Sequence, residues 1–162
     1  TARRLHPNDM RRIIRAIEVF ELTGKPLSED QHHKPRPPEH QPACVVWLSP
    51  PRKWLHDRIN RRIDQMMQEG WLEETRALLT HDPPPGRTAR QALGYRELIR
   101  HVEGEITLAA TMEQIKISTR QFAKRQHTWF RNLEECLPLE VSGEESPEIL
   151  ADRIWSMRRS HS

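Results

Sequence analysis

The stretch "ACVVWLSPPRKWLHDRINRRIDQMMQEG", Ala43 to Gly70, passes from a strand signal directly into a helix signal. Its first seven residues form an apolar run rich in β-branched side chains and bounded by prolines, which reads as one short buried strand. Pro50 and Pro51 suit the opening of a helix, and a helix therefore follows at once and runs to Gly70. Leu55, Ile59 and Met66 form its apolar stripe at helical spacing. Arg62 lies at the edge of that stripe, one turn beyond Arg58. A cation there points into a crevice more readily than into bulk water, where it meets either a carboxylate of the protein or a phosphate.

Downstream, helical signals dominate. "WLEETRALLTH" is a second helix ending at "DPPPG", "LGYRELIRHVEGE" is a turn plus a short helix, and "TLAATMEQIKISTRQFAKRQHTWFRN" is a long one. "LPLEVS" suggests a second strand, and "SPEILADRIWSMRRS" a closing helix capped by Ser146. The expected architecture is mainly α with one or two short strands. Such distant strands make a stable sheet only by pairing with each other or with segments outside this chain, so part of a sheet is expected to lie upstream.

Upstream, "HPNDMRRIIRAIEVFELTGKP" is a helix that Asn8 or Asp9 caps, Gly24 stops and Pro26 keeps from continuing. Ile13, Ala16, Ile17 and Phe20 share one face, and Arg11, Arg12 and Arg15 the other. From Lys25 to Pro42 apolar periodicity vanishes, and the segment reads as a linker. The chain thus divides into residues 1–41, a helical module's tail with its linker, and residues 42–162. His32, His33 and His40 lie in the linker with no Cys or Asp completing a ligand set, so no metal site is expected.

Composition narrows the function. The 162 residues carry 26 Lys and Arg against 23 Asp and Glu, a formal charge of only +3, so the distribution of charge matters more than its total. In the long helix, Thr119 to Asn132 contains Arg120, Lys124, Arg125, Arg131 and a titratable His127 without one acid. On a helical wheel Ile115, Phe122 and Trp129 form an apolar stripe of core anchors. Lys116, Arg120, Lys124, His127 and Arg131 share the other side. Like charges one turn apart repel unless an anion lies across them, which favours a phosphate-rich partner such as a nucleic-acid backbone. Cys44 and Cys136 show no CxxC spacing and read as free thiols of a reducing compartment. No signal peptide or membrane-spanning run occurs, so a cytoplasmic protein is expected. The patterns GxSxG, HExxH, GxGxxG and GxxxxGK[ST] are all missing from the chain.

Three stretches, "HPNDMRRIIRAIEVFELTGKPLS", "LGYREL" and "TRQFAKRQHTWFRN", together resemble the motifs of bacterial tRNA dimethylallyltransferases, also called tRNA isopentenyltransferases. They occur in the family's order, and the likeness covers most of Leu5 to Asn132. The resemblance implies the C-terminal part of a P-loop-type α/β core plus the tail of a helical insertion. It further implies transfer of a dimethylallyl group from dimethylallyl diphosphate to N6 of the adenine 3′ of the anticodon, with that base extruded from its stack. The partners it implies are the tRNA anticodon stem-loop and the diphosphate, in an enzyme that is a monomer when complete. Mg²⁺ would be bound mainly by an N-terminal half, which also carries the phosphate-binding loop and catalytic Asp that this chain lacks. On that ground the chain alone is expected to be inactive.

Residue by residue, the resemblance carries transfer-site roles onto Arg62, which handles the diphosphate, and Arg12, which follows PND. tRNA contact falls on Arg11, Arg12, Ile13, Ile14 and Arg15; on Gln91, Ala92, Leu93, Gly94, Tyr95 and Arg96; and on Lys124, Arg125, Gln126, His127, Thr128, Trp129, Phe130 and Arg131. The alternatives are a non-catalytic RNA-binding module acting as a tRNA clamp, and a helical DNA-binding or scaffolding protein.

Overall fold

A computed structural model describes residues 6–27 and 44–160. The chain divides into two compact units, Thr1–Pro42 and Ala43–Ser162. The first contains α1, Met10–Thr23. Asp9 caps it by accepting the Arg12 backbone N–H at 3.3 Å, and the Gly24 N–H closes it on the Phe20 carbonyl at 2.8 Å. Of the face expected to be covered, Ile17 and Phe20 are more than half exposed, and Val19 is the buried residue. Amphipathic spacing marks a face that can be covered; it does not say how much of it is. The linker histidines lie outside the described residues.

The second unit runs β1 (Val45–Ser49), α2 (Arg52–Gln68), α3 (Trp71–Leu79), α4 (Arg87–Arg90), α5 (Tyr95–Val102), α6 (Leu108–Arg131), β2 (Cys136–Glu140) and α7 (Pro147–Ser160). The strands pair with each other in parallel, Val45 opposite Cys136 and Ser49 opposite Glu140. Parallel pairing needs a crossover, and the five helices α2 to α6 between the strands supply it. Pro138, which has no N–H to donate, sits opposite Trp47. A two-stranded pair tolerates it because each strand has an open edge.

The core lies beside the sheet, among the helices. Ile63 of α2, Trp71 and Leu72 of α3, Leu98 of α5 and Ile115 of α6 form one buried cluster, with Ile59, Met66, Tyr95 and Met112 packed around it. Leu98 and Ile115 are wholly buried, so truncating either to Ala removes about 2–5 kcal/mol. Two contacts fix how α6 lies on α2. Asp64 meets Lys116 and Asn60 meets Arg120, so the helices run antiparallel.

The expected stripe of core anchors along α6 holds only in part. Ile115 is buried, but Phe122 is 45% and Trp129 56% exposed. The 24 residues of α6 extend roughly 36 Å, whereas the eight of α5 extend roughly 12 Å and cover only the N-terminal part of the stripe. Further out, Phe130 turns to the sheet and stacks on Trp47 at 6.1 Å with an interplanar angle of 11°.

Candidate nucleic-acid interface

Each cation along α6 has a separate fate. The Lys116 side chain is only 16% exposed, and its Nζ lies 2.7 Å from Asp64 Oδ1, as a half-buried ammonium requires. Arg120 is partly buried and donates from Nη1 to Asn60 Oδ1 at 2.7 Å. His127 sets its ring edge-on to Trp47, with centroids 4.7 Å apart. The expected five-cation stripe is therefore shortened: Lys116 is neutralised from within, and His127 is held against an aromatic. Lys124, Arg125 and Arg131 are exposed, and no carboxylate among the described residues pairs with them. Arg125 lies over the Phe122 ring at 5.7 Å. The Thr128 hydroxyl is spent on the Lys124 carbonyl at 3.1 Å, and Gln126 and Trp129 face solvent.

The Gln91–Arg96 segment is the bend between α4 and α5, and it is anchored elsewhere. Gly94 takes φ +88°, and Trp71 presses against it so closely that a Cβ would stand 2.2 Å from the ring. Glu97, 2% exposed, accepts the Gly94 N–H at 3.2 Å and the Arg96 Nη2 at 2.6 Å. The Tyr95 hydroxyl donates to Glu74 Oε1 at 2.7 Å, and that carboxylate acceptor, with some burial, pushes the phenol pKa upward. Gln91, Ala92, Leu93 and Arg96 remain exposed. A buried carboxylate thus sets the bend, while the side chains of the bend face outward. Glu97 is not among the site residues that the sequence motifs singled out. Its position three residues after a glycine, at the start of a helix, was the available signal.

On α1, Arg11, Arg12 and Arg15 are exposed. Arg12 Nε sits 3.4 Å from Asp9 and Arg15 Nη1 3.4 Å from Glu18, surface pairs of small energetic weight. Ile13 is half-buried and Ile14 about half exposed. On α2, Arg62 does not enter a crevice: it is exposed. The cleft on that helix opens on the other flank, lined by Arg52, Lys53, His56, Asp57, Asn60 and Arg120. Arg62 stands about 200° from Asn60 around the helix, so the two cannot share a side. Among the described residues no three His, Cys, Asp or Glu side chains converge to hold a metal ion. No described helix is long and apolar enough to cross a membrane.

The geometry defines a class: a mostly helical α/β protein in which a short parallel strand pair backs a long helix whose outer end shows cations without matching carboxylates among the described residues. The IPP transferase family model matches residues 1–133, and the chain belongs to that family. It is 44% identical over 159 residues to a tRNA dimethylallyltransferase of Symbiobacterium thermophilum, covering 98% of this chain and 49% of that protein. A tRNA dimethylallyltransferase of Thermoanaerobacter sp. is 46% identical over 132 residues, 80% of this chain and 42% of its own. The solved tRNA delta(2)-isopentenylpyrophosphate transferase of Staphylococcus epidermidis superposes with a TM-score of 0.66 at 31% identity, over 98% of this chain and 52% of that one. The full-length Bacillus halodurans tRNA isopentenylpyrophosphate transferase gives 0.63 at 31% identity, with 98% and 46% covered. The chain spans about half the length of the relatives it matches.

Proposed function

We propose that this chain is the C-terminal portion of a tRNA-modifying transferase. The enzyme moves a dimethylallyl group from its diphosphate to N6 of the adenine 3′ of the anticodon. The N6 lone pair forms the new C–N bond, the allylic C–O bond breaks, diphosphate departs, and nitrogen loses its proton. Residues 42–162 then belong to a P-loop-type core and residues 1–41 to the tail of its helical insertion. The Mg²⁺ that assists the diphosphate is assigned to the part of the relatives that this chain does not span. The segment binds RNA but does not turn over substrate by itself.

One observation carries the reading: Lys124, Arg125 and Arg131 stand exposed, without carboxylate partners among the described residues, inside a motif that matches the family. Repelling cations held on one helix end are best neutralised by a phosphate backbone. By the family resemblance, Arg11–Arg15 and Gln91–Arg96 are assigned further tRNA contact, and Arg12 and Arg62 are each assigned a transfer-site role. A guanidinium there would offset the charge that develops on departing diphosphate.

The test is binding of an anticodon stem-loop RNA across a salt series. Lys124→Ala and Arg131→Ala should each reduce the slope of log K against log [salt] by about one. Lys116→Met should leave it unchanged, because that ammonium already faces Asp64. Wild-type slopes in both alanine variants would remove α6 from the interface.

A further inference from the structure

An open cleft of about 600 Å³ lies between the first half of α2 and the middle of α6. Its lining is chemically one-sided: Arg52, Lys53 and Arg120 are formal cations, His56 and Asn60 are polar, and Asp57 is the one acid. That acid is already engaged by Lys53, whose Nζ is 3.7 Å away. Arg52 and Arg120 have no carboxylate partner among the described residues. Asn60 accepts one N–H of Arg120 at 2.7 Å, which fixes the guanidinium while leaving its other donors unspent. A partly buried guanidinium with spare donors and no counter-charge is unfavourable until an anion reaches it. Two arginines from different helices around one opening suit the tetrahedral oxygens of a phosphate.

Continuity selects the source of that phosphate. Lys124 follows Arg120 by one helical turn, and Arg131 lies on the same flank two turns further out. The cleft is therefore the inward end of the same row of cations. We propose that it receives a backbone phosphate of the bound RNA, carrying the interface from α6 onto α2 through Arg52 and Arg120. This rests on the reading of the outer α6 as an RNA face. It adds residues of α2 that lie outside the three segments assigned to RNA by resemblance.

The decisive variant is Arg52→Ala, at an exposed site in the first turn of α2. In the 162-residue chain it should lower the salt slope for stem-loop RNA by about one and weaken binding several-fold. Arg120→Gln should do the same, with circular dichroism confirming its fold; if that variant unfolds, Arg52→Ala alone decides. A second arm titrates inorganic diphosphate into wild type and Arg52→Ala by calorimetry. Should Arg52→Ala keep the wild-type slope while Lys124→Ala lowers it, the cleft is not part of the interface and the proposal fails alone. If neither variant changes the slope, the RNA reading of α6 fails with it. Diphosphate binding that Arg52→Ala abolishes, beside an unchanged RNA slope, assigns the cleft to a free anion and overturns the RNA assignment.

Discussion

Gly94→Ala tests whether the bend before α5 is locked by its neighbour. Gly94 has φ +88° and ψ −44°, outside the left-handed helical well, so an L-residue there costs at least about 1–2 kcal/mol. The added Cβ would also stand 2.2 Å from Cη2 and 2.4 Å from Cζ2 of Trp71. That indole cannot swing away freely, since it is buried in one cluster with Ile63, Leu72, Leu98 and Ile115 and meets Tyr95 edge-on at 5.7 Å. Overpacking of this kind costs about 1–3 kcal/mol, for a total of about 2–5 kcal/mol. Gly104 is the internal control. Its φ of +80° is likewise one that L side chains rarely adopt, but nothing lies within 4 Å of its added Cβ, so Gly104→Ala should cost backbone strain alone, about 1–2 kcal/mol. Urea unfolding followed by tryptophan fluorescence and far-UV circular dichroism gives both values, with m unchanged if only stability moves. Equal destabilisation by the two substitutions would mean that Trp71 yields and the bend is not held in the way described.

Two further outcomes are expected. Glu145 accepts the Ser142 and Gly143 N–H groups at 2.7 and 2.9 Å, and these bonds, Ser142 first, pull its pKa from the ordinary 4.5 down to about 2. A depressed carboxylate contributes stability above its ordinary pKa and loses it as pH falls through the folded value. Glu145→Gln should therefore flatten the fall in melting temperature between pH 4.5 and 2, and curves of wild type and variant that stay parallel there would remove Glu145 from the acid response. Arg62→Ala, placed in a full-length enzyme carrying this segment, should lower kcat/KM for dimethylallyl diphosphate by about 10²-fold. A defect confined to tRNA affinity would refute the diphosphate role.

Local chemistry made the element order legible. Asp9 and Thr107 accept backbone N–H groups at the starts of α1 and α6, and Pro50 and Pro51 separate strand from helix, all within a few residues of sequence. The four-residue α4 passed unread because one turn carries no period. The strand pairing could not be settled either, since Val45 and Cys136 lie far apart in sequence and no local signal links them. For the site, the family motifs identified segments, but the orientation of their side chains depended on partners far away in sequence. Phe122 and Trp129 keep the period of Ile115, yet α5 is too short to reach them. Glu97 looks like another surface acid until the fold buries it and the Gly94 N–H donates to it.

The cationic side of α6 shows why spacing alone was insufficient. A row of like charges must be matched position by position, and α2 determines where the match is internal. Toward its C-terminal half α2 offers acceptors, Asp64 to Lys116 and Asn60 to Arg120. Toward its N-terminus it offers Arg52, Lys53 and His56, which add positive or neutral polar groups to the cleft and only one carboxylate, already paired. The two antiparallel helices therefore change from mutual neutralisation to mutual reinforcement of positive charge along their contact, at Arg120. A protein that needed α6 only for packing would gain by continuing the acceptors of α2 to its start, because each unmatched cation raises the repulsion on its neighbours. That α2 instead adds cations there is an electrostatic cost within the chain, and a polyanion lying across the outer helix ends and the cleft would offset it.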